Sequence, residues 1–106
     1  MRLPPPLDTY FEAQTTADAD RMAATFAPGG VVRDEGRLHR GPGAIRAWWL
    51  AAKRQYDHVA EPLELSHADG RVVVRARVSG AFEGSPVVLD FAFRLSGGRI
   101  AELEVR

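Results

Sequence analysis

The side chains here that could do chemistry are few, and the densest group runs from Tyr10 through Asp34 and His39 to the aromatic pair Trp48-Trp49. Asp34 follows Val31-Val32-Arg33 and precedes Glu35-Gly36. Alternation along a strand turns Val32 and Asp34 to the same side, so burial of Val32 draws the carboxyl inward. A carboxylate kept away from water binds protons more tightly and can serve as a base near neutral pH. The competing reading is a turn residue, since aspartate is favoured at hairpin ends. His39, on a returning strand, is either an acid–base partner for Asp34 or a surface residue. Tyr10 lies on an apolar helix face. There a phenol either stabilises an oxyanion or fills the core with its hydroxyl satisfied at the margin.

Trp48, Trp49, Tyr56, Phe91 and Phe93 are the candidate walls of an apolar ligand pocket, and each also suits a core. Neighbouring helical residues sit about 100° apart, so Trp48 and Trp49 point in different directions and at least one belongs to the core. His58 and His67 flank strands or turns and read as exposed. The histidines lack ligand spacing, so no metal is expected. Cysteine is absent, which removes disulfides, thiolate catalysis and thiolate metal sites together. Neither a serine–histidine–aspartate arrangement nor a phosphate loop or dinucleotide fingerprint is present.

The elements that must position these residues emerge from periodicity. Pro4, Pro5 and Pro6 lead into a helix carrying Leu7, Tyr10, Phe11 and Gln14 on one face. Asp18 caps a second short helix through Ala19, Met22, Ala23 and Phe26, which Pro28-Gly29-Gly30 ends. A small hairpin carries Asp34 out and His39 back. A third helix leaves Gly41-Pro42-Gly43 with Ile45, Trp48, Trp49, Ala52 and Tyr56 on one stripe. From about Val59 the period becomes two. Val59, Leu63 and Leu65 form a strand with a bulge or edge near Pro62. Val72, Val74, Ala76 and Val78 mark the next, and Val87, Leu89, Phe91, Phe93 and Leu95 a third. Ala101, Leu103 and Val105 mark the last. Short turns between them imply an antiparallel meander. The expected architecture is α+β, a curved antiparallel sheet with helices on its concave face. Arg75, Arg77, Asp90, Arg94, Glu102 and Glu104 fall on the opposite face, either solvated or a dimer interface.

Length and charge set the outer limits. A chain of 106 residues fits a single domain, 1–106, with one core. Fourteen basic and fourteen acidic side chains cancel, which argues against a nucleic-acid partner. No stretch reaches membrane-span or signal-peptide length, so the expectation is a cytoplasmic protein without a membrane partner.

The run from Phe26-Ala27 to Val32-Arg33-Asp34, the Gly41-x-x-Ala44-Ile45 helix entry and the closing Gly98-Arg99-Ile100 turn resemble the nuclear transport factor 2-like superfamily. This is the cone-shaped α+β fold of ketosteroid isomerases and SnoaL-type polyketide cyclases. The resemblance implies that Asp34 stands where the family's proton-shuttling aspartate stands, and Tyr10 where its oxyanion-binding tyrosine stands. It implies that His39 could couple to Asp34, as in some SnoaL-like cyclases. With Arg94-Leu95 as anchor, Phe91 takes the place of the second oxyanion acid, and Asp90 beside it points to the other face. The chain also stops soon after Val105, so wall residues that longer relatives supply there are expected to be missing. The resemblance thus implies an apolar pocket for a small organic molecule and cofactor-independent isomerisation or cyclisation by proton transfer. A homodimer through the outer sheet face is expected with it. The alternative is a non-catalytic dimeric binding or assembly module.

Overall fold

The computed structural model describes residues 2–106; Met1, the first residue of the expected domain, lies outside them. Helix α1 (Leu7–Thr16) is led in by the prolines, with Pro6 at its N-cap, and buries Leu7, Tyr10, Phe11, Ala13 and Gln14. Helix α2 (Ala19–Ala23) is capped by Asp18, whose side chain accepts a hydrogen bond from the Arg21 amide at 3.0 Å. Strand β1 (Phe26–Asp34) and strand β2 (Arg37–Arg40) form the hairpin. Its turn residues Glu35 and Gly36 both have positive φ, 52° and 74°, the geometry whose twist matches paired strands. Helix α3 (Pro42–Tyr56) starts with proline in its first turn and buries Ile45 and Trp49. Strands β3 (Val59–Ala68), β4 (Arg71–Ser79), β5 (Val87–Ser96) and β6 (Arg99–Val105) complete the chain.

The six strands make one curved sheet in the order β2-β1-β6-β5-β4-β3. The meander β3 to β6 is antiparallel, with the register irregular between Pro62 and Glu64, where the sequence placed a bulge. Two expectations need correction. The helix does not continue to Phe26: α2 ends at Ala23, and Phe26 opens β1 opposite Ile100. The sheet is also not wholly antiparallel, because β1 runs parallel to β6, pairing Val32 with Leu103 and Arg33 with Glu104. Both corrections share one cause. The Ile100 amide donates to the Thr25 carbonyl at 2.8 Å, so a distant strand captures the backbone at the point where the local helix signal fades. Register then shifts between Phe26 and Val31, across Pro28-Gly29-Gly30.

The helices cover one face, with α1 against β3 and α3 against β1 and β2. Between them lies a core of Leu7, Tyr10, Met22, Phe26, Val32, Ile45, Trp49, Val74, Phe93, Ile100 and Leu103. Tyr10 meets Phe11, Phe93 and Phe26 edge-on at 5.1, 5.5 and 6.2 Å, pairs worth about 0.5–1.5 kcal/mol each beyond area burial.

The outer face carries the expected charges, in register: Arg75 pairs with Asp90 at 3.2 Å, and Arg77 with Glu61 at 3.3 Å. Glu102 differs from a solvated residue. Only 8% exposed, it accepts from Arg33 at 2.7 Å and Arg71 at 3.3 Å, with Arg94 at 3.5 Å. The Arg33 hydrogen bond, aided by Arg71 and Arg94, holds its carboxyl below the usual carboxylate range against the opposing effect of burial.

Candidate active site

A cavity of about 280 Å³ opens between α1, the end of β1, α3 and the concave face of β4 and β5. Its polar lining is Tyr10, Gln14, Asp34, Glu35, Trp48 and His58; its apolar lining includes Tyr56, Phe82, Val87, Leu89, Phe91 and Val105. No Lys or Arg lines it among the described residues.

Asp34 is the last residue of β1, partly buried on this wall. The Trp48 Nε1–H, one helix away, donates to its Oδ2 at 3.0 Å. A charge-assisted contact of this kind fixes the carboxylate's orientation. Trp48 is held from behind by His39, whose ring lies 6.0 Å from the indole. His39 is thus not on the cavity wall and makes no hydrogen bond with Asp34; it backs the indole that does.

Tyr10 reaches the cavity from the floor, fully buried, its hydroxyl without a hydrogen-bond partner in the protein. Burial, then the nearby Asp34 charge, pushes its phenol well above the ordinary tyrosine value. The Gln14 amide works weakly the other way without reaching ordinary hydrogen-bond geometry. Tyr10 therefore stays protonated, a standing donor. Gln14, one helical turn on, is 2% exposed and its Oε1 is likewise unpartnered.

Trp48, Tyr56 and Phe91 line the cavity, whereas Trp49 and Phe93 do not. Trp49 is 1% exposed and packs edge-on to His58 at 5.8 Å; Phe93 closes on Tyr10 and Phe11 inside the core. The 100° step between Trp48 and Trp49 resolves as it must, one ring to the cavity and one to the core. Tyr56 meets Phe82 edge-on at 5.8 Å. That contact depends on Gly80, where a Cβ would come within 2.5 Å of the Tyr56 carbonyl oxygen.

His58 is the residue the sequence placed wrongly. It is partly buried on the cavity wall, not exposed, because Asp57 adopts a left-handed conformation that ends α3 and turns the next side chain inward. Burial, then the ammonium of Lys53, lowers its pKa, so the imidazole is neutral at pH 7. Its Nδ1 has no partner. Lys53 itself is off the wall, donating to the carbonyls of Gln14 and His58 and lying 5.8 Å over the Trp49 ring. Gln14 carried a readable signal, sharing Tyr10's face at i+4; His58 carried none. No group of three or more His, Cys, Asp or Glu side chains gathers into a metal site among the described residues.

The arrangement can hold a small apolar body, present it to a fixed carboxylate and offer one neutral phenol donor. Comparisons with known proteins agree with the architecture. A candidate polyketide cyclase from Sinorhizobium meliloti is 48% identical, with TM-score 0.93 over 98% of this chain and 95% of that one. A protein of ketosteroid isomerase-like fold from Catenulispora acidiphila, in complex with trimethylamine, is 19% identical, with TM-score 0.82 over 99% and 86%. A candidate polyketide cyclase from Xanthomonas campestris is 21% identical, with TM-score 0.76 over 93% and 84%. No protein of curated function matches the sequence. The SnoaL-like domain profile matches residues 7–103, and the chain belongs to that family within the NTF2-like, ketosteroid isomerase-like fold.

Proposed function

We propose that this domain binds a small, largely apolar carbonyl compound and moves a proton on it without a cofactor, with Asp34 as the base. The observation that carries the reading is the Asp34 carboxylate on the wall of the cavity, oriented by Trp48 Nε1. In the reaction, Asp34 takes a proton from the carbon next to the carbonyl. The electron pair moves onto the carbonyl oxygen, which the Tyr10 hydroxyl meets as a donor, and Asp34-H returns the proton at a new carbon or to a cyclised product. The candidate cyclase name of the 48% identical relative supports this reaction class. Replacing Asp34 by Asn keeps the side-chain shape and an acceptor for Trp48 but removes the base. Rates of isomerisation, cyclisation or carbon–deuterium exchange on small ketones should then fall by about 10²-fold or more. Equal rates in Asp34→Asn remove this residue from the chemistry.

A binding-only reading has one observation in its favour. Phe91 sits on the wall where the family resemblance would place a second oxyanion donor, and one such donor is worth about 3 kcal/mol of transition-state stabilisation. Ligand binding with no turnover of any ketone tested would select it. In either reading the protein works as a homodimer through the outer sheet face, where Val88 is exposed beside Arg75 and Arg77. Sedimentation at micromolar concentration checks this, and a monomer counts against it.

A further inference from the structure

We infer that the cavity selects an uncharged ligand of one or two rings whose buried end carries both a hydroxyl and a carbonyl group. The inference rests on the reading of this cavity as the ligand site and adds the class of ligand to it.

Three buried polar atoms of residues that line the cavity lack hydrogen-bond partners in the protein: the Tyr10 hydroxyl, Gln14 Oε1 and His58 Nδ1. Two of the three belong to residues at most 2% exposed, so their polarity is withheld from both solvent and neighbours. Leaving such groups unpaired is costly, and a ligand that pairs them recovers that cost on binding. The Tyr10 O–H asks for an acceptor, such as a carbonyl. Gln14 Oε1 asks for a donor, such as a hydroxyl.

Charge narrows the class further. Asp34 and Glu35 are on the wall, and the nearest ammonium, Lys53, is engaged by two backbone carbonyls behind it. An anionic head would meet two carboxylates and no cation to match it, with its hydration lost. A cation would gain from Asp34 but leave the Tyr10 donor facing a positive charge. Size sets the last limit. A cavity of ~150 Å³ takes one benzene ring, so one of about 280 Å³ holds one or two rings, and the remaining rings of a steroid would project from its mouth without contacts there.

The experiment is calorimetric titration of the wild-type protein at pH 7.5 with five probes. They are 4-hydroxy-1-tetralone, tetralin, 1-naphthoate, 1-naphthylmethylammonium and a four-ring steroid ketone. The hydroxytetralone should bind at least about tenfold more tightly than each of the others, a difference well within reach of one buried hydrogen-bonded head. In Gln14→Leu its advantage over tetralin should shrink, and in Asp34→Asn the penalty on naphthoate should shrink. Binding of naphthoate, the ammonium or the steroid as tightly as the hydroxytetralone overturns the inference, and so does no binding by any probe. The wild-type ranking stands alone if Gln14→Leu does not fold. The expected ranking combined with undiminished turnover by Asp34→Asn upholds the ligand class while removing the proposed base, so the two claims fail separately.

Discussion

Tyr10→Phe separates a residue kept for function from one kept for packing, because the two roles predict opposite signs. The ring contacts with Phe11, Phe26 and Phe93 are shared by phenylalanine and survive the change. What disappears is a buried hydroxyl that no protein group satisfies, and such a group costs about 1–3 kcal/mol to bury. The variant should therefore be more stable by about 1 kcal/mol, a rise of about 4 °C or more in Tm for a domain of this size. At the same time it should bind or convert its carbonyl ligand less well. Gain of stability with loss of function marks a group held in place against the interest of the fold. A pH series adds an internal check. Because the fold raises the Tyr10 pKa, its contribution is intact below the ordinary value near 10 and is lost as pH rises through the folded value. Wild type should then lose stability above pH 10 by up to about 1.4 kcal/mol per pH unit, a slope missing from Tyr10→Phe. Urea unfolding at pH 7.5 and at pH 10 to 11 reads both effects. Destabilisation by more than about 1 kcal/mol at pH 7.5 would mean that the hydroxyl is already satisfied, and the oxyanion role would lose its support.

His58 and Glu102 lead to two more expectations. The fold lowers the His58 pKa, so its contribution to stability is full above about 6.5 and is lost as pH falls through the folded value. His58→Gln should flatten the urea midpoint between pH 7.5 and pH 5; an unchanged slope would show that the imidazole does not resist protonation. Glu102 has a lowered pKa for the opposite chemical reason, a carboxylate held by Arg33, Arg71 and Arg94, and its contribution is lost as pH falls below about 4.5. Glu102→Gln should cost about 1–3 kcal/mol at pH 7, measured by chemical unfolding, and the cost should shrink as pH falls below the ordinary carboxylate value.

What the sequence made legible was local. Asp18 and Gly41-Pro42 are chemical punctuation, and both helices begin where those residues place them. The period-two runs of β4 and β5 translate into strands because their alternate residues meet the same core, whereas in β3 Val59 and Leu63 stay exposed. The run from Phe26 was not legible, since its strand depends on Ile100 at the far end of the chain. At the site, alternation set Asp34 beside Val32, yet which tryptophan would reach it depended on how α3 rolls against β1 and β2. His58 depended on one left-handed residue, Asp57, for which an aspartate gives only a weak hint. Glu102 was assigned to the correct face by pleat alone, but its shielding comes from three arginines on three other strands, a convergence no local pattern encodes.

The parallel seam between β1 and β6 has a consequence for how the protein is made. β6 lies between β1 and β5, so it joins the hairpin to the meander although it follows all the other strands in the chain. While the chain is emerging, α1 can already settle on β3 and on the rings of β5, but the hairpin lacks its partner strand until β6 arrives, nearly a full chain length away. Closing that long loop is an entropic toll met only once, late, and in a single step. A nascent chain of this design should thus favour chaperone contact until Arg99–Val105 clears the ribosome, and removing those seven residues should free the hairpin from the meander.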